Sequence, residues 1–405
     1  MKDLLKYAII LICFVSCYSQ EAPKEAITET KFQIPSGAFP IIYRKHIYIE
    51  GIVDKAKGIF VFDTGADNFY FDSLFYNSNK FTYDKIAEAY LPGVGSKPQK
   101  TKLILDTVHF QFADYQYHTK MVPVFCLKGI LGDFADGILG QNYFSGKALE
   151  INYQHKFMKI YDSISLVDIK GYSKIVYENV KNRLYVPLKL LINGSLEIEG
   201  KFTLDLGSPY SISLTSPTAK KFALNNKINN KIRYYTKYGG VGGESTRYNF
   251  KAESIFIGDY KLNNFVMEYS EDTNGALSSN KNFGLLGNNI LEKFDIIIDF
   301  KNNCLYLKPN NQFENPFETT RLGFGYVDRG ETYQSWIVTG TYEGSMAEKA
   351  GLMIDDKITH LNDLPIKEID YEQQQAIFKK AETIKLTVNR NNKILIFNIR
   401  LKEIL

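Results

Sequence analysis

Short runs in which every second residue is apolar recur along this chain, each closed by a cluster of turn-forming residues. That period predicts β-strands with one buried face. Residues 47–72 read IYIEGIVDKAKGIFVFDTGADNFYFD, and residues 189–214 read KLLINGSLEIEGKFTLDLGSPYSISL. Each segment holds an alternating strand, a turn, a second strand, then Asp-x-Gly and a small residue. Farther along, each half carries Gly-Val-Gly, at residues 93–95 and 240–242, and Gly-apolar-Leu-Gly, at 137–140 and 284–287. Each closes with a similar strand pair, 148–161 and 294–307. From Gly93 to Gly140 is 47 residues, and so is the distance from Gly240 to Gly287. The Asp motif precedes its glycine loop by 30 residues in the first half and 35 in the second. One five-residue length difference accounts for the offset, and the Asp motifs stand 142 residues apart. A period of that size marks a duplicated domain rather than a solenoid repeat. The expectation is a mainly β chain with two lobes, 21–170 and 171–310.

Composition narrows this picture. The chain has 405 residues, 44% hydrophobic and 23% charged, which fits a globular protein of two or three domains. Tyr and Phe, 28 of each, favour strands over helices. The net charge of +4, without a dense basic block, excludes nucleic acid as a partner. Four cysteines cannot scaffold a chain this long; Cys126 and Cys304, far apart and outside any CxxC pair, read as apolar core residues. The five histidines, 46, 109, 118, 155 and 360, form no ligand motif and read as scattered surface or strand positions, so no metal or cofactor is expected.

Lys2 and Lys6 precede the apolar run from Tyr7 to Val15, the arrangement of an export signal over residues 1–20. Phe14-Val15-Ser16-Cys17 is similar to a bacterial lipobox, which would lipidate Cys17. Ordinary cleavage near Ser19–Gln20 is the other reading. Either puts the mature chain in the periplasm or cell envelope. No other apolar stretch approaches the length of a membrane span, so any membrane attachment is through an N-terminal lipid.

An Asp that ends an apolar strand and precedes Gly is, by itself, a turn. Here it occurs once in each duplicated half, so a pseudo-two-fold axis can bring Asp63 and Asp205 together. Two adjacent carboxyls share one proton, because like charges that close do not both ionise easily. The ionised member can deprotonate a water, and the neutral member can polarise a carbonyl. These residues resemble the aspartic peptidases, in particular the retropepsin-like branch: Asp63-Thr64-Gly65-Ala66-Asp67 matches the retroviral-type motif, with Ile138-Leu139-Gly140 and Leu285-Leu286-Gly287 as the element packed behind each loop. The resemblance covers about residues 40–310. It implies a bilobal all-β fold, a cleft between the lobes, and hydrolysis of polypeptide substrates without metal or covalent intermediate. Asp63 and Asp205 would be catalytic, supported by Thr64, Gly65, Ala66, Leu206, Gly207 and Ser208. The second motif departs from the family at Leu206, where Thr is usual. The family's paired threonines brace the two loops; Leu206 cannot, so Thr64 needs another partner. The glycine loops, with Gly93 and Gly95 in one half and Gly240 and Gly242 in the other, read as hairpin turns or as flaps over the substrate. Tyr90 and Tyr238, just before them, are either cleft-lining or ordinary packing residues.

After the polar segment 308–319, residues 318–405 carry Arg321-Leu322-Gly323-Phe324-Gly325, the run 344–352 (GSMAEKAGL), and closing strands at 384–388 and 394–399. This resembles a PDZ domain of the bacterial protease-associated kind. The resemblance implies that Leu322, Gly323 and Phe324 hold the terminal carboxylate of a peptide added to a sheet edge. A domain that only packs on the body is the other reading. Arg321 is either a helper for that anion or a surface arginine. The leading expectation is an exported aspartic endopeptidase whose PDZ domain takes substrate or partner C-termini. The alternative is a non-catalytic, peptide-binding scaffold of the cell envelope.

Overall fold

The computed structural model describes residues 32–91 and 98–405; the export signal, Cys17, Gly93 and Gly95 lie outside the described residues. The chain is mainly β, arranged in sheets of six, ten and fourteen strands.

In the first lobe, strands β1 (Ile47–Val53) and β2 (Ala56–Asp63) form a hairpin. Its two-residue turn places Asp54 at φ 43° and Lys55 at φ 88°, the positive torsions that match the twist of the flanking strands. There follow β3 (Phe69–Asp72), the hairpin β4 (Ile86–Leu91) and β5 (Gln99–Ile104), β6 (Val122–Phe125), and the short helix α1 (Lys128–Leu131). Strand β7 (Gly137–Gly140) runs parallel to β2, with Gly137 opposite Phe60 and Gly140 opposite Asp63. Fully buried rings, Phe60, Phe62, Phe69, Phe71, Phe110 and Phe112, fill the lobe. The aromatic excess in the composition is spent here. The lobe ends with β8 (Ala148–Asn152) and β9 (Phe157–Tyr161).

The second lobe repeats the plan. Strands β10 (Arg183–Asn193) and β11 (Leu196–Leu204) form its hairpin. Then come β12 (Ile212–Leu214), β13 (Ile232–Thr236), β14 (Ser245–Ile257) and β15 (Tyr260–Ser270). Strand β16 (Gly284–Leu286) lies parallel to β11, with Phe202 opposite Gly284 and Leu204 opposite Leu286. Strands β17 (Phe294–Asp299) and β18 (Cys304–Pro309) close the lobe. They join β8 and β9 in the six-stranded sheet, β8 pairing with β17. One hydrophobic core runs through both lobes. The 308–319 segment is not a free linker: Phe313 and Phe317 pack against that core, and the Lys293 ammonium donates to the Gln312 and Asn315 carbonyls, at 2.9 and 2.6 Å.

The tail has its own core around Trp336, Val338, Ile358, Leu386 and Val388. Its strands are β19 (Phe324–Arg329), β20 (Ser335–Tyr342), β21 (Lys357–Leu361), β22 (Thr383–Arg390) and β23 (Lys393–Arg400). Helix α2 (Tyr371–Lys380) starts at a capping box between Asp370 and Gln373. Among the described residues, Cys304 is buried as expected but Cys126 is exposed, because it lies just beyond the end of β6.

Candidate active site

Parallel pairing in each lobe leaves an Asp at the mouth of a strand, where the backbone turns away from the sheet. Asp63 ends β2, and Asp205 follows β11, with its N–H on the Leu286 carbonyl at 2.9 Å. The two carboxyls meet across the pseudo-two-fold axis, Asp63 Oδ1 and Asp205 Oδ1 both lying 2.9 Å from the position a Gly65 Cβ would take. Each carboxylate also accepts from its own loop: Gly65 N–H to Asp63 Oδ1 at 2.6 Å, and Gly207 N–H to Asp205 Oδ1 at 3.1 Å. Close approach explains the glycines. A Cβ on Gly65 would sit 2.9 Å from Asp205 Oδ1, and one on Gly207 would overlap the Asp63 carboxyl carbon.

The two carboxyls are not equivalent. Burial raises Asp63 above its ordinary range, opposed by the Gly65 N–H, the Asp205 hydrogen bond and the Arg183 charge. Burial raises Asp205 well above the range, and the neighbouring Asp63 charge raises it further. The shared proton therefore belongs on Asp205, with Asp63 ionised.

Thr64 finds its partner in the backbone of the other lobe. Its buried hydroxyl donates to the Leu204 carbonyl at 2.7 Å and accepts from the Leu206 N–H at 3.0 Å. The Leu206 side chain is buried in the core instead. The brace is thus one-sided and complete on that side. Behind the loops, Gln141 N–H donates to the Ala66 carbonyl at 3.1 Å and Asn288 N–H to the Ser208 carbonyl at 2.8 Å. The side chains of these two residues then reach the other lobe. Gln141 donates to the Asn182 carbonyl, and Asn288 donates to the Lys45 carbonyl at 3.1 Å as well as to the Leu206 carbonyl of its own lobe at 2.7 Å.

Sequence reasoning missed this outer ring. Gln141 and Asn288 each directly follow a Gly-apolar-Leu-Gly motif, which was the available signal. Arg183 forms an ion pair with Asp67, the last residue of the Asp63–Asp67 motif. His46, half-buried just before β1, is pushed down to about 4 by burial and is neutral over most of the pH range.

The hairpin β13–β14 carries the second glycine loop toward the first lobe, where the Gln99 side-chain amide comes within 3.9 Å of the position a Gly243 Cβ would take. Gly240 and Gly242 lie in its tip, which a Gly239 N–H to Gly243 carbonyl bond of 2.7 Å closes. Arg247 on β14 holds that tip through Nη2 to the Gly239 carbonyl at 2.9 Å. Arg247 also pairs with Glu268 at 2.9 Å, both side chains being almost wholly buried. Tyr238 does not line the cleft: its hydroxyl donates to Asp355 of the tail at 2.9 Å. Tyr90 is 69% exposed.

In the tail, Gly323 has φ 77° and lies against Ser345, and Phe324 is buried. Arg321 is neither an anion site nor a bare surface residue. Its guanidinium donates to the carbonyls of Phe378, Lys379, Ala381 and Leu401, satisfying the carbonyl end of α2. Across the slot between β19 and α2, the Gln374 amide meets the Tyr326 hydroxyl. The tail also latches onto the first lobe: Asp133 accepts from Arg329 Nε, Thr332 N–H and Thr332 Oγ1, each at 2.7 Å. Among the described residues, no group of acidic, His and Cys side chains is arranged to hold a metal.

No curated protein matches the chain. Among solved structures, Basic 7S globulin from soybean aligns over 69% of this chain and 96% of its own, with 7% identity and a TM-score of 0.39, a likeness too slight to argue from. The PDZ domain family model matches residues 312–389. With the capped helix, the glycine-turned loop and the open-edged strand beside it, residues 312–389 are a PDZ domain, a module that binds peptides or partner proteins.

Proposed function

We propose that the chain is an aspartic endopeptidase in which Asp63 and Asp205 activate one water. The observation that carries this reading is the close approach of two buried carboxyls, in which the Asp63 charge raises Asp205 the further of the two. Asp63, ionised, takes a proton from the water as its oxygen adds to the scissile carbonyl carbon. Asp205, neutral, gives its proton to the carbonyl oxygen. Collapse of the resulting diol then breaks the C–N bond, with a proton passing to the leaving nitrogen. The Thr64 brace supports the reading, since it supplies through the Leu206 backbone what the Leu206 side chain lacks. The PDZ domain adds a site for polypeptide ends. Export through the N-terminal signal completes the proposal; a lipid on Cys17, detected by mass spectrometry of the mature N-terminus, would assign it to the envelope.

The test is cleavage of a peptide library across acid to neutral pH by the mature protein. Asp63→Asn and Asp205→Asn are each expected to lose nearly all cleavage, and the double variant to be little worse, because the pair acts as one unit. Full cleavage by Asp205→Asn would refute the dyad. Binding of peptides in the cleft without any cleavage would favour the scaffold reading.

A further inference from the structure

The PDZ ligand loop and the second-lobe flap belong to one sheet. Strand β20 pairs with β19 along one edge, and along the other with β21 and with flap strand β13, where Tyr234 lies opposite Tyr342 and Thr236 opposite Gly340. Contacts concentrate on the ligand loop. The Tyr342 N–H and the Ser345 hydroxyl both donate to the Gly323 carbonyl, at 3.1 and 3.0 Å. A Cβ on Gly325 would overlap the Tyr234 hydroxyl, so Tyr234 of the flap strand lies hard against β19 just after the loop. The Tyr234 and Tyr342 rings are 4.5 Å apart. Beyond them, Arg247 reaches both the flap tip, at the Gly239 carbonyl, and the Tyr210 ring, 5.2 Å from its guanidinium. Tyr210 stands five residues after Asp205. The flap tip is tied to the PDZ domain a second time, by Lys237 and Tyr238 on Asp355.

The free edge of β19 is short. Asp133 N–H already takes the Asp328 carbonyl at 2.8 Å, which leaves the edge open from Phe324 to Val327. That suits the end of a chain better than an interior segment. The side chains beside it, Leu322, Phe324, Tyr326, Ile377 and Phe378, are apolar or aromatic and suit an apolar last residue. Entry must part the Tyr326–Gln374 contact. Tyr326 packs on Trp336 of β20 at 4.7 Å, so the slot has a closed arrangement mechanically joined to the strand that pairs with flap strand β13.

We propose that the PDZ groove is an effector site. A free C-terminal tail with an apolar last residue binds along β19, and through Tyr234 and Arg247 it orders the second-lobe flap over the dyad. The functional half of this proposal rests on the peptidase reading of the cleft; the mechanical half does not. Coupling between two binding sites is reciprocal, and ordinary cases span about 5- to 150-fold.

The experiment uses the full mature chain. The effector probe is a pool of hexapeptides ending in free Leu, Ile, Val or Phe, with the amidated pool as control. The cleft probe is a peptide with a hydroxymethylene group replacing the scissile bond. The free-acid pool, and not the amidated one, is expected to slow hydrogen exchange across residues 232–248 and to tighten the cleft probe about fivefold. Tyr234→Leu should keep affinity for the pool and lose the coupling. If that variant does not fold, Gly325→Ala, which presses on the same hydroxyl, should change the coupling instead. A pool that binds the PDZ domain but leaves exchange at 232–248 unchanged overturns the proposal, as does a pool that does not bind. If exchange responds while the cleft neither cleaves nor takes the isostere, the peptidase reading fails and the coupling stands. Cleavage without any response to the pool is the reverse.

Discussion

Thr64→Val removes one hydroxyl and keeps the shape of the side chain. That hydroxyl is buried and serves two backbone groups of the opposite lobe, the Leu204 carbonyl at 2.7 Å and the Leu206 N–H at 3.0 Å. Each buried backbone group left without a partner costs about 1–3 kcal/mol, partly offset by no longer burying the hydroxyl. The expected loss is therefore about 2–4 kcal/mol. Thr64→Ser keeps both bonds and gives up one methyl, about 1 kcal/mol. The two lost bonds flank Asp205, so Val should also lower turnover by more than it raises KM, because the acid is displaced rather than the substrate. Urea unfolding by linear extrapolation measures the first effect, and steady-state cleavage the second. If Val lies within 0.5 kcal/mol of wild type, or Ser is as damaging as Val, the brace does not hold the loops together.

Asp205→Asn should raise the thermal midpoint at pH 7. The folded pKa of Asp205 is raised, so its contribution to stability is full below the unfolded value of about 4 and is lost as pH rises toward the folded value. The difference between variant and wild type should accordingly vanish in calorimetry below pH 4. The dyad should give a bell-shaped kcat/KM profile, falling on the acid side as Asp63 protonates and on the alkaline side as Asp205 ionises. Glu268→Gln leaves Arg247 buried without its counter-charge and should cost about 3–5 kcal/mol in chemical denaturation. Asp133→Ala breaks the buried pair with Arg329 and removes the acceptor of both Thr332 bonds; it should speed proteolysis between residues 309 and 323 while leaving the near-UV signal of Trp336 intact.

The strand pairs, the duplication, the two Asp loops and the PDZ tail were legible in the chain, because each is written locally. Period-2 burial, turn residues and Asp-Thr-Gly spacing depend on neighbours a few residues away. The repeat also aligned the loops before any geometry was known, since Gly140 and Gly287 keep the same distance from their glycine loops. What only the tertiary structure decided is every contact made through backbone or across the lobes. Thr64 is satisfied by the N–H and carbonyl of Leu206 and Leu204, groups present whatever side chain stands there, so the departure at Leu206 looked more damaging in the sequence than it is in the fold. Arg183 and Asp67 meet from positions 116 residues apart, and nothing local pairs them. Arg321 turned to the end of α2 because four carbonyls converge there, and Cys126 was left outside because its strand ends one residue earlier. The joining of β13 to β20 has no side-chain signature: one strand edge accepts another through N–H and C=O groups that every residue carries, and only the folded arrangement of the lobes brings those two edges together.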